Sequence, residues 1–403
     1  MEMYDVIIIG GGASGMSCAL YLKKQGIDNI LLIERAATLG GVLKQCIHQG
    51  FGLNAFKKDM TGPEFSFLLE DEIEKYQVPY LLGSLVVSIS KDKEVVYINK
   101  TGVHHAKAKN IVLATGAMER SPGKIELAGE RLSGIVTAGE AQTLCNNAGA
   151  LVGQRVVILG SGDIGLIIAR RYTLEGAKVL GVLEINPYPS GLKRNIVQCL
   201  DDFHIPLKLS TTVKRTEGRQ RLESIVTVKV DKDGNYIEGS EETIACDGLI
   251  ISCGLLSMND LYKKIKLPID KVDQNMMVKD GFYLLGNALF INDLVDNVYD
   301  DGIIAAKDII EKLHKKPEIH RDNVIFDPKM FRVYPMVIST PLTDSFTFSF
   351  RTAKPLLSGE VVIKSGNTVI KKVMAPLYPS VLNRFVINKD LVKDGKLSLE
   401  VTE

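Results

Sequence analysis

The chain has 403 residues, enough for two or three domains, and its 49 Lys+Arg and 48 Asp+Glu give a net charge of +1. This balance excludes a general electrostatic attraction to nucleic acid or to anionic membranes, and no run approaches the roughly 20 apolar residues of a membrane-spanning helix. The six cysteines show no spacing typical of a disulfide framework, a zinc site or an iron–sulfur cluster. No basic leader precedes the first apolar run, so we expect a cytoplasmic protein. From the charge balance, the short apolar runs and the cysteine spacing we expect no nucleic-acid partner, no integral membrane segment and no metal.

The first predicted elements form a strand, a glycine turn, a helix and a second strand. A β-branched run breaks at Gly10, Gly12 and Gly15, continues with helical periodicity, and returns to an apolar strand that Glu34 closes. The first glycine allows a tight turn, the second lets the backbone approach a pyrophosphate, and the third lets helix and strand pack closely. Glu34 is placed to accept hydrogen bonds from an adenosine ribose. The pattern predicts a dinucleotide site.

A cysteine and a histidine follow in the segment GGVLKQCIHQGFG, from Gly40 to Gly52. Cys46 is interpreted either as a buried small residue or as a reactive thiol, whose pKa Lys44 or His48 would have to lower. His48 is interpreted either as a hydrogen-bonding pocket residue or as a proton donor or substrate anchor. The residues alone leave both pairs of interpretations open.

The strand–glycine–helix pattern recurs about 150 residues later. Gly160, Gly162 and Gly165 follow an apolar strand, and Glu184 ends the next strand. Two such units imply two dinucleotide sites. The carboxylate of Glu184 favours NAD over NADP because it would repel a 2′-phosphate, although two cations nearby in PYPSGLKRN weaken that preference.

The last 80 residues follow a different pattern. From about Val324, short alternating runs are separated by Gly, Pro and Asp turns, which predicts a small antiparallel β domain. The region contains no cluster of catalytic residue types, so we expect it to serve in docking to other subunits.

With both glycine motifs in place, residues 1–315 resemble the two-dinucleotide-binding-domain flavoproteins, the pyridine nucleotide-disulfide oxidoreductase-like superfamily. NIVLATGA and CDGLIISCG resemble the strands at which such chains cross between domains, and GFYLLGNALF resembles a late flavin-binding motif that usually has Gly-Asp where this chain has Gly-Asn. The resemblance implies an α/β fold with two Rossmann-like FAD/NAD(P)-binding domains, the second inserted in the first, plus a small C-terminal β-rich domain. The implied bounds are 1–121 with 254–318 for FAD, 122–253 for NAD(P) and 323–403 for the β-rich domain.

The resemblance also implies the cofactors, FAD and NAD(H), with NADP(H) second. The residues implied for FAD are Gly10, Gly12, Ala13, Ser14, Gly15, Glu34, Arg35, Gly41, Val42, Ala114, Thr115, Gly116, Gly286 and Asn287. Those implied for NAD are Gly160, Gly162, Asp163, Ile164, Gly165 and Glu184. Cys46 and His48 are the catalytic candidates.

Two longer segments, GGVLKQCIHQGFGLNAFKKDMTGPEF and EINPYPSGLKRNIVQCL, are most similar to flavoprotein subunits associated with glycerol-3-phosphate dehydrogenase and with cyanide- or opine-type oxidases. This similarity implies electron transfer between NAD(H) and a partner subunit, in a redox complex or a homo-oligomer. Three alternatives stay open: direct oxidation of a small metabolite, a single-cysteine disulfide or peroxide reductase using Cys46, and a non-catalytic flavin-stabilised scaffold. Dithiol chemistry is disfavoured because a second cysteine near Cys46 is missing from the sequence.

Overall fold

The computed structural model describes residues 2–315, 318–393 and 395–402. The chain forms two compact units, Met1–Ala117 with Ser257–Glu403, and Met118–Leu256. No helix in the described ranges is long and apolar enough to cross a membrane. The assignment of cofactors to the predicted domain bounds stays a prediction.

The first part of the first unit alternates strands and helices. Its strands are β1 (Glu2–Ile9), β2 (Ile30–Ile33), β3 (Gln49–Phe51), β4 (Met60–Thr61), β5 (Tyr80–Leu81), β6 (Leu85–Ile89), β7 (Glu94–Asn99) and β8 (Gly102–Leu113), and its helices are α1 (Ala13–Lys24) and α2 (Gly62–Lys75). The start of α2 is fixed by a capping box, in which the side chains of Thr61 and Glu64 each accept a hydrogen bond from the other's backbone N–H.

The second unit follows in sequence. Its strands are β9 (Ala117–Glu119), β10 (Ile135–Thr137), β11 (Arg155–Leu159), β12 (Lys178–Leu183), β13 (Leu207–Lys208), β14 (Thr211–Gly218), β15 (Leu222–Lys229), β16 (Glu242–Ala245), β17 (Gly248–Ile251) and β18 (Leu255–Ser257), and its helices are α3 (Ala138–Ala148), α4 (Asp163–Leu174) and α5 (Lys193–Cys199).

The chain then returns to the first unit. The helices there are α6 (Asp260–Lys264) and α7 (Val295–His314). The strands are β19 (Met277–Lys279), β20 (Phe282–Leu284), β21 (His320–Asn323), β22 (Ile325–Phe326), β23 (Met330–Tyr334), β24 (Val337–Thr340), β25 (Phe346–Thr352), β26 (Glu360–Ser365), β27 (Thr368–Met374), β28 (Asn383–Ile387) and β29 (Ser398–Thr402).

The main sheet of the first unit has the strand order β19-β20-β8-β1-β2-β5, and β6 and β7 extend it through β8. Strands β20, β8, β1, β2 and β5 pair in parallel, and α1 packs against α7. Val6 to Ile9 are buried in this parallel sheet, which explains the continuous apolar run of the sequence. The carboxyl ends of β1, β8 and β20 meet at one edge, where a ligand binds in such folds.

The second unit repeats this arrangement on a smaller scale. Its parallel sheet has the order β10-β17-β11-β12-β13, and β14-β15-β16 form a separate antiparallel sheet. The mixed α/β fold with two Rossmann-like units is therefore confirmed.

The predicted C-terminal β-rich region is present. It contains the pair β21-β24 and the sheets β22-β29-β26-β27 and β23-β25-β28, which enclose a core including Phe348 and Phe350. The pairing is mostly antiparallel as predicted, but β22 pairs with β29 in parallel. Short alternating runs are typical of antiparallel hairpins, so the sequence did not predict the parallel pairing of β22 with the distant β29.

Candidate functional site

The first glycine turn, between β1 and α1, leaves a space for a phosphate group. A Cβ atom at Gly10 would overlap the carbonyl oxygen of Ala114, and one at Gly15 would overlap the carbonyl oxygen of Gly10. A Cβ at Gly12 would meet nothing within 4 Å, and no side chain caps the N-terminus of α1. The first and third glycines are therefore needed for close packing. The second leaves the backbone N–H groups at the start of α1, where Ala13 and Ser14 lie, accessible to an anion.

Glu34 lies directly after β2 and is 8% exposed. One carboxylate oxygen accepts the Gly11 N–H at 2.7 Å, and the other accepts the Ala36 N–H at 2.7 Å. A carboxylate offers about four acceptor positions, so this group keeps capacity for ribose hydroxyls. The neighbouring Arg35 is exposed.

Two segments after the carboxyl ends of β8 and β20 complete the first site. After β8, the Thr115 hydroxyl donates to the Met258 carbonyl at 3.0 Å, and the Gly116 carbonyl accepts the Met258 N–H at 3.0 Å. After β20, Gly286 comes so close to α1 that a Cβ there would lie 3.2 Å from the Ser14 hydroxyl oxygen. Both predicted segments therefore lie beside the β1–α1 turn.

Asn287 stands where the family pattern has an aspartate. Its side-chain carbonyl accepts the Asn292 N–H at 2.9 Å, which organises the loop that leads to α7. The amide NH₂ is thereby oriented away from that bond and is a donor suited to a ribitol hydroxyl. The residues of the first site fit FAD.

The segment with the cysteine begins on the same turn. The Gly40 N–H donates to the Gly11 carbonyl at 2.8 Å, and a Cβ at Gly41 would lie 3.6 Å from the Gly12 Cα. Residues Gly41–Gln45 then form a short 3₁₀ helix, on which Val42 is 62% exposed, and Cys46 ends it. This places Cys46 one short helix away from the predicted pyrophosphate contact.

The environment of Cys46 keeps its thiol protonated. The first residue of α2, Gly62, donates its N–H to the Cys46 carbonyl at 2.8 Å, and a side chain at that glycine would clash with Cys46. The thiol donates to the Val42 carbonyl at 3.3 Å, and burial raises its pKa to about 11. Lys44, one of the residues predicted to lower this pKa, instead pairs with Glu70 at 2.6 Å.

His48 lies two residues further on and is half-buried. Its Nδ1 lies 2.9 Å from the Gln49 carbonyl, and its ring packs on Phe51 with centroids 5.0 Å apart. A ring held through Nδ1 leaves Nε2 as the nitrogen that can exchange a proton with a ligand.

The second glycine turn, between β11 and α4, has the same shape. A Cβ at Gly160 would overlap the carbonyl oxygen of Ser252, and one at Gly165 would lie 2.7 Å from the Gly160 carbonyl oxygen. The nearest atom to a Cβ at Gly162 is 3.9 Å away, so this turn is also open at its middle glycine. Asp163 and Ile164 form the first turn of α4.

Glu184 differs from Glu34 in its surroundings. One oxygen accepts the Ser161 N–H at 3.1 Å, the Ser161 hydroxyl at 2.5 Å and the Ser190 hydroxyl at 3.0 Å. The other oxygen accepts the Asn186 backbone N–H at 3.0 Å and its side-chain amide at 2.8 Å. Five protein donors already fill this carboxylate, so in this arrangement a ribose hydroxyl would have to displace one of them.

The loop after Glu184 lies over the second turn. The Ser190 N–H donates to the Ser161 hydroxyl at 2.8 Å, and Asp163 accepts the Leu192 N–H at 2.8 Å and the Asn195 amide at 2.7 Å. The two cations that follow, Lys193 and Arg194, are exposed. The second site therefore fits a dinucleotide pyrophosphate at its glycine turn, whereas its ribose position depends on this loop.

One residue of the first site was missed from the sequence. Asp296, in the first turn of α7, is 2% exposed and accepts three backbone N–H groups, from Gly52 at 3.1 Å, Asn54 at 2.9 Å and Ala55 at 2.8 Å. It fixes the end of the cysteine–histidine segment. An acid in the first turn of a helix is so common that the sequence carries no specific signal for this role.

Known proteins show related sequences and folds. The chain is 24% identical over 320 residues to a subunit of the alkyl hydroperoxide reductase of Staphylococcus aureus, covering 78% of this chain and 56% of that protein. It is 24% identical over 302 residues to a ferredoxin–NADP reductase of Leuconostoc citreum, covering 71% and 84%. The chain thus spans little more than half the length of the first of these relatives.

The fold is similar to that of the thioredoxin reductase of T. acidophilum, with a TM-score of 0.64 and 22% identity over 78% of this chain and all of that one. A family model for pyridine nucleotide-disulphide oxidoreductases matches residues 4–302. Proteins of this family use FAD and NAD(P)H, in agreement with the cofactors predicted from the sequence. From the two glycine turns, the strand ends beside them and this match, the chain belongs to the pyridine nucleotide-disulphide oxidoreductase family.

Proposed function

We propose that this protein is an NAD(P)H-dependent flavoprotein reductase that acts on a disulfide or a peroxide, with Cys46 as its reactive thiol. The observation that supports this proposal most is the pair of open glycine turns, one suited to FAD and the other to a nicotinamide dinucleotide. FAD exchanges two electrons with nicotinamide when both are bound. The first-unit residues would hold FAD, and those around Gly160 to Gly165 would hold NAD(P)H.

The acceptor class comes from the relatives and from the one thiol in the segment that touches the first turn. The alkyl hydroperoxide reductase is named for a peroxide, and the matching family model is named for pyridine nucleotide-disulphide oxidoreductases. Cys46 lies in this chain within the segment that begins at Gly41, beside the predicted FAD pyrophosphate. The glycerol-3-phosphate dehydrogenase association predicted from the sequence has less support, because those relatives are named for reductase reactions.

The reaction with a disulfide balances with one cysteine. The Cys46 thiolate attacks one sulfur of R–S–S–R, so a mixed disulfide forms and one R–S⁻ leaves. Two electrons then cleave the mixed disulfide, which restores Cys46 and releases the second thiol, so that NAD(P)H + H⁺ + RSSR gives NAD(P)⁺ + 2 RSH. With a peroxide, Cys46 becomes a sulfenic acid and ROH leaves; the same two electrons and protons then return the thiol and release water.

Cys46 must lose its proton before it attacks. Burial raises the pKa of the resting thiol to about 11, so the attack needs a base that takes up the proton. The Nε2 of His48 is the proposed proton acceptor.

Anaerobic half-reactions test the proposal. The purified protein is titrated with NADH or NADPH, and flavin absorbance near 450 nm (roughly the oxidised-flavin band) is followed; a small aromatic disulfide or hydrogen peroxide is then added. We expect wild type and Cys46→Ser to bleach equally and only wild type to regain its colour at an appreciable rate. The matched control is Cys246→Ser, since burial raises the pKa of that thiol to about 11 as well and it contacts neither glycine turn in the described residues.

Two results would count against the proposal. Flavin that stays oxidised with either nicotinamide would contradict the use of the second unit as an electron-donor site. Equal reoxidation of Cys46→Ser and wild type would remove the thiol from the reaction and leave a reductase that passes electrons directly to its acceptor.

A second candidate keeps the partner subunit predicted from the sequence. The C-terminal region exposes large apolar side chains, with Leu357 at 71%, Val386 at 69% and Met374 at 65%. These side chains are available for contact with another protein, so electron delivery to a partner subunit, in the cytoplasm, stays a proposal. Light scattering of the protein purified from its native source would reveal a partner or a homo-oligomer. A monomer at micromolar concentration would weaken the proposal of a partner subunit.

A further inference from the structure

A cleft of about 410 Å³ lies in the first unit and is built from four separate segments. They are the turn between β6 and β7, the chain after α6, the hairpin β19–β20 and strand β21. The cleft lies beside Phe282, at the amino end of β20, whereas the FAD segment at Gly286 follows the carboxyl end of the same strand. It is therefore a different place from the predicted cofactor site.

The charged residues that line this cleft are all cations, within the part of the chain that the structure describes. They are Lys91, Lys266, Lys271, Lys279 and Arg321. Three acidic residues, Asp92, Asp270 and Asp280, are sequence neighbours of these lysines, but they are not among the residues that line the cleft. The cleft is therefore electropositive in a protein whose net charge is only +1.

None of the four lysines has an anionic partner among the described residues. Lys91, Lys266 and Lys279 are exposed, and their ammonium groups make no hydrogen bond or ion pair with residues 2–315, 318–393 or 395–402. Lys271 donates to the neutral side-chain carbonyl of Asn323 at 2.7 Å. Such ammonium groups repel one another when they converge, and an anion between them relieves the repulsion.

Arg321 has a structural role in the same cleft. Its guanidinium donates to the carbonyls of Val278 at 3.0 Å, Met277 at 3.0 Å and Lys271 at 2.5 Å. These bonds hold β21, β19 and the segment before β19 together. The walls are therefore fixed in the absence of any ligand.

Apolar side chains line the rest of the cleft. Ile265, Leu267, Val278 and Phe282 contribute to it, and the last two are almost fully buried. A volume of this size matches that of small-molecule sites. Ile265 and Leu267 are partly exposed, so a hydrocarbon or aromatic group displaces water favourably from their side chains.

We propose that this cleft binds a small amphipathic anion, in which a phosphate or carboxylate contacts Lys266 and Lys279 while an alkyl or aryl body covers the apolar lining. The run KKIKLPIDK contributes Lys266 and Lys271 to this site. A solvated surface would bind neither half of such a molecule selectively. The proposal is independent of the reductase function, because no residue of the glycine turns takes part.

Calorimetric titration of the flavin-loaded protein tests the proposal with three probes: octyl phosphate, inorganic phosphate and 1-octanol. We expect octyl phosphate to bind at least tenfold more tightly than either of the other two, because only it has both halves. The double variant Lys266→Glu with Lys279→Glu should lose at least tenfold in affinity for octyl phosphate. The matched control, Lys100→Glu with Lys232→Glu, carries the same charge change on exposed lysines outside the cleft and should bind as wild type.

A Leu267→Ser variant tests the apolar half and should weaken octyl phosphate but not inorganic phosphate. Melting temperatures equal to that of wild type confirm that the variants are folded. If the glutamate double variant does not fold, Lys266→Ala with Lys279→Ala replaces it. The proposal fails if octyl phosphate does not bind, if inorganic phosphate binds equally well, or if the cleft and control variants lose affinity to the same degree.

Discussion

The two glycine turns share one sequence pattern but differ at the acid that follows each second strand. Glu34 accepts two backbone N–H groups and keeps room for further donors. Glu184 accepts five donors, and three of these come from the side chains of Ser161, Asn186 and Ser190. A glutamate at the same position of the pattern therefore has two different roles: Glu34 can still accept hydrogen bonds from a ligand, whereas Glu184 orders its own loop.

The difference bears on the choice of nicotinamide cofactor. A carboxylate surrounded by five donors presents less negative potential to a 2′-phosphate than one that is half satisfied. The expectation that Glu184 selects NAD over NADP therefore rests on a weaker physical basis than the sequence indicated. Lys193 and Arg194, exposed at the start of α5, weaken the preference for NAD further because cations attract a 2′-phosphate.

The largest expected difference between the two turns is at the third glycine. Gly15→Ala forces a Cβ into the Gly10 carbonyl, whereas Gly165→Ala places it 2.7 Å from the Gly160 carbonyl, where a smaller shift relieves the contact. We expect a complete loss of FAD retention in Gly15→Ala and a stability loss of about 3 kcal/mol or more, against about 1–2 kcal/mol for Gly165→Ala. Hydrogen exchange of peptides from α1 and α4 measures each unit separately.

The middle glycines provide the control for this pair. A Cβ at Gly12 meets nothing within 4 Å, and one at Gly162 meets nothing nearer than 3.9 Å. Gly12→Ala should therefore keep its exchange protection while FAD affinity falls, because the new methyl group occupies space meant for phosphate. Protection lost equally in Gly12→Ala and Gly15→Ala would contradict the division between packing and ligand approach.

The next largest difference is at the two acids. Glu184→Ala leaves five donors without their acceptor in a buried place and should cost about 3–5 kcal/mol, whereas Glu34→Ala leaves two and should cost about 1–2 kcal/mol. Exchange protection of residues 184–195 should fall most in Glu184→Ala. Flavin affinity should follow the opposite order. Equal stability losses in the two variants would show that the two acids are equivalent and would contradict the comparison.

A smaller effect, a pH dependence, should appear in the first unit only. Asp301, on α7, is fully buried, and burial raises its pKa from the ordinary 3.8 to about 7, although Arg384 at 3.5 Å opposes the rise and Asp300 adds to it. The folded state then holds a proton that the unfolded chain releases above pH 3.8, so stability falls as the pH rises toward and through about 7. Over roughly pH 5 to 8 the loss should be about 2–3 kcal/mol, part of the roughly 4 kcal/mol that a shift of about three pKa units allows.

Asp301→Asn removes this titration. We expect the stability of wild type relative to Asp301→Asn to decrease from about pH 5 to about pH 8, as measured by exchange protection of α7 peptides. Peptides of the second unit are the internal control, since Asp301 belongs to the first. A wild type that gains stability over this pH range relative to the variant would mean that Arg384, rather than burial, sets the pKa of Asp301.

The sequence was sufficient where the physical cause is local. Gly10 and Gly15 recur at fixed offsets because a strand must turn sharply into a helix, and Thr61 and Glu64 mark the start of α2 because the first-turn N–H groups need acceptors. The contact of Gly15 with Gly10 and that of Thr61 with Glu64 join residues fewer than six positions apart, so a linear pattern records them.

The sequence was insufficient where distant segments meet. The raised pKa of Cys46 depends on burial beneath the start of α2, and the saturation of Glu184 depends on how its loop folds back on Ser161. A stretch with Cys and His two residues apart looks the same whether the thiol is activated or buried. Only the three-dimensional contacts distinguish the two.

The three hydrogen bonds that Asp296 accepts also have a consequence for the order in which the protein matures. They join residues 52–55 to a side chain more than 240 positions later, and β8 likewise pairs with β20 across the inserted unit. The second unit, by contrast, is one continuous stretch from Met118 to Leu256 and includes the whole of its own parallel sheet. During synthesis, the second unit can therefore complete its sheet before β20 and α7 of the first unit have been made, so the cysteine segment reaches its final shape only after Asp296 has been synthesised.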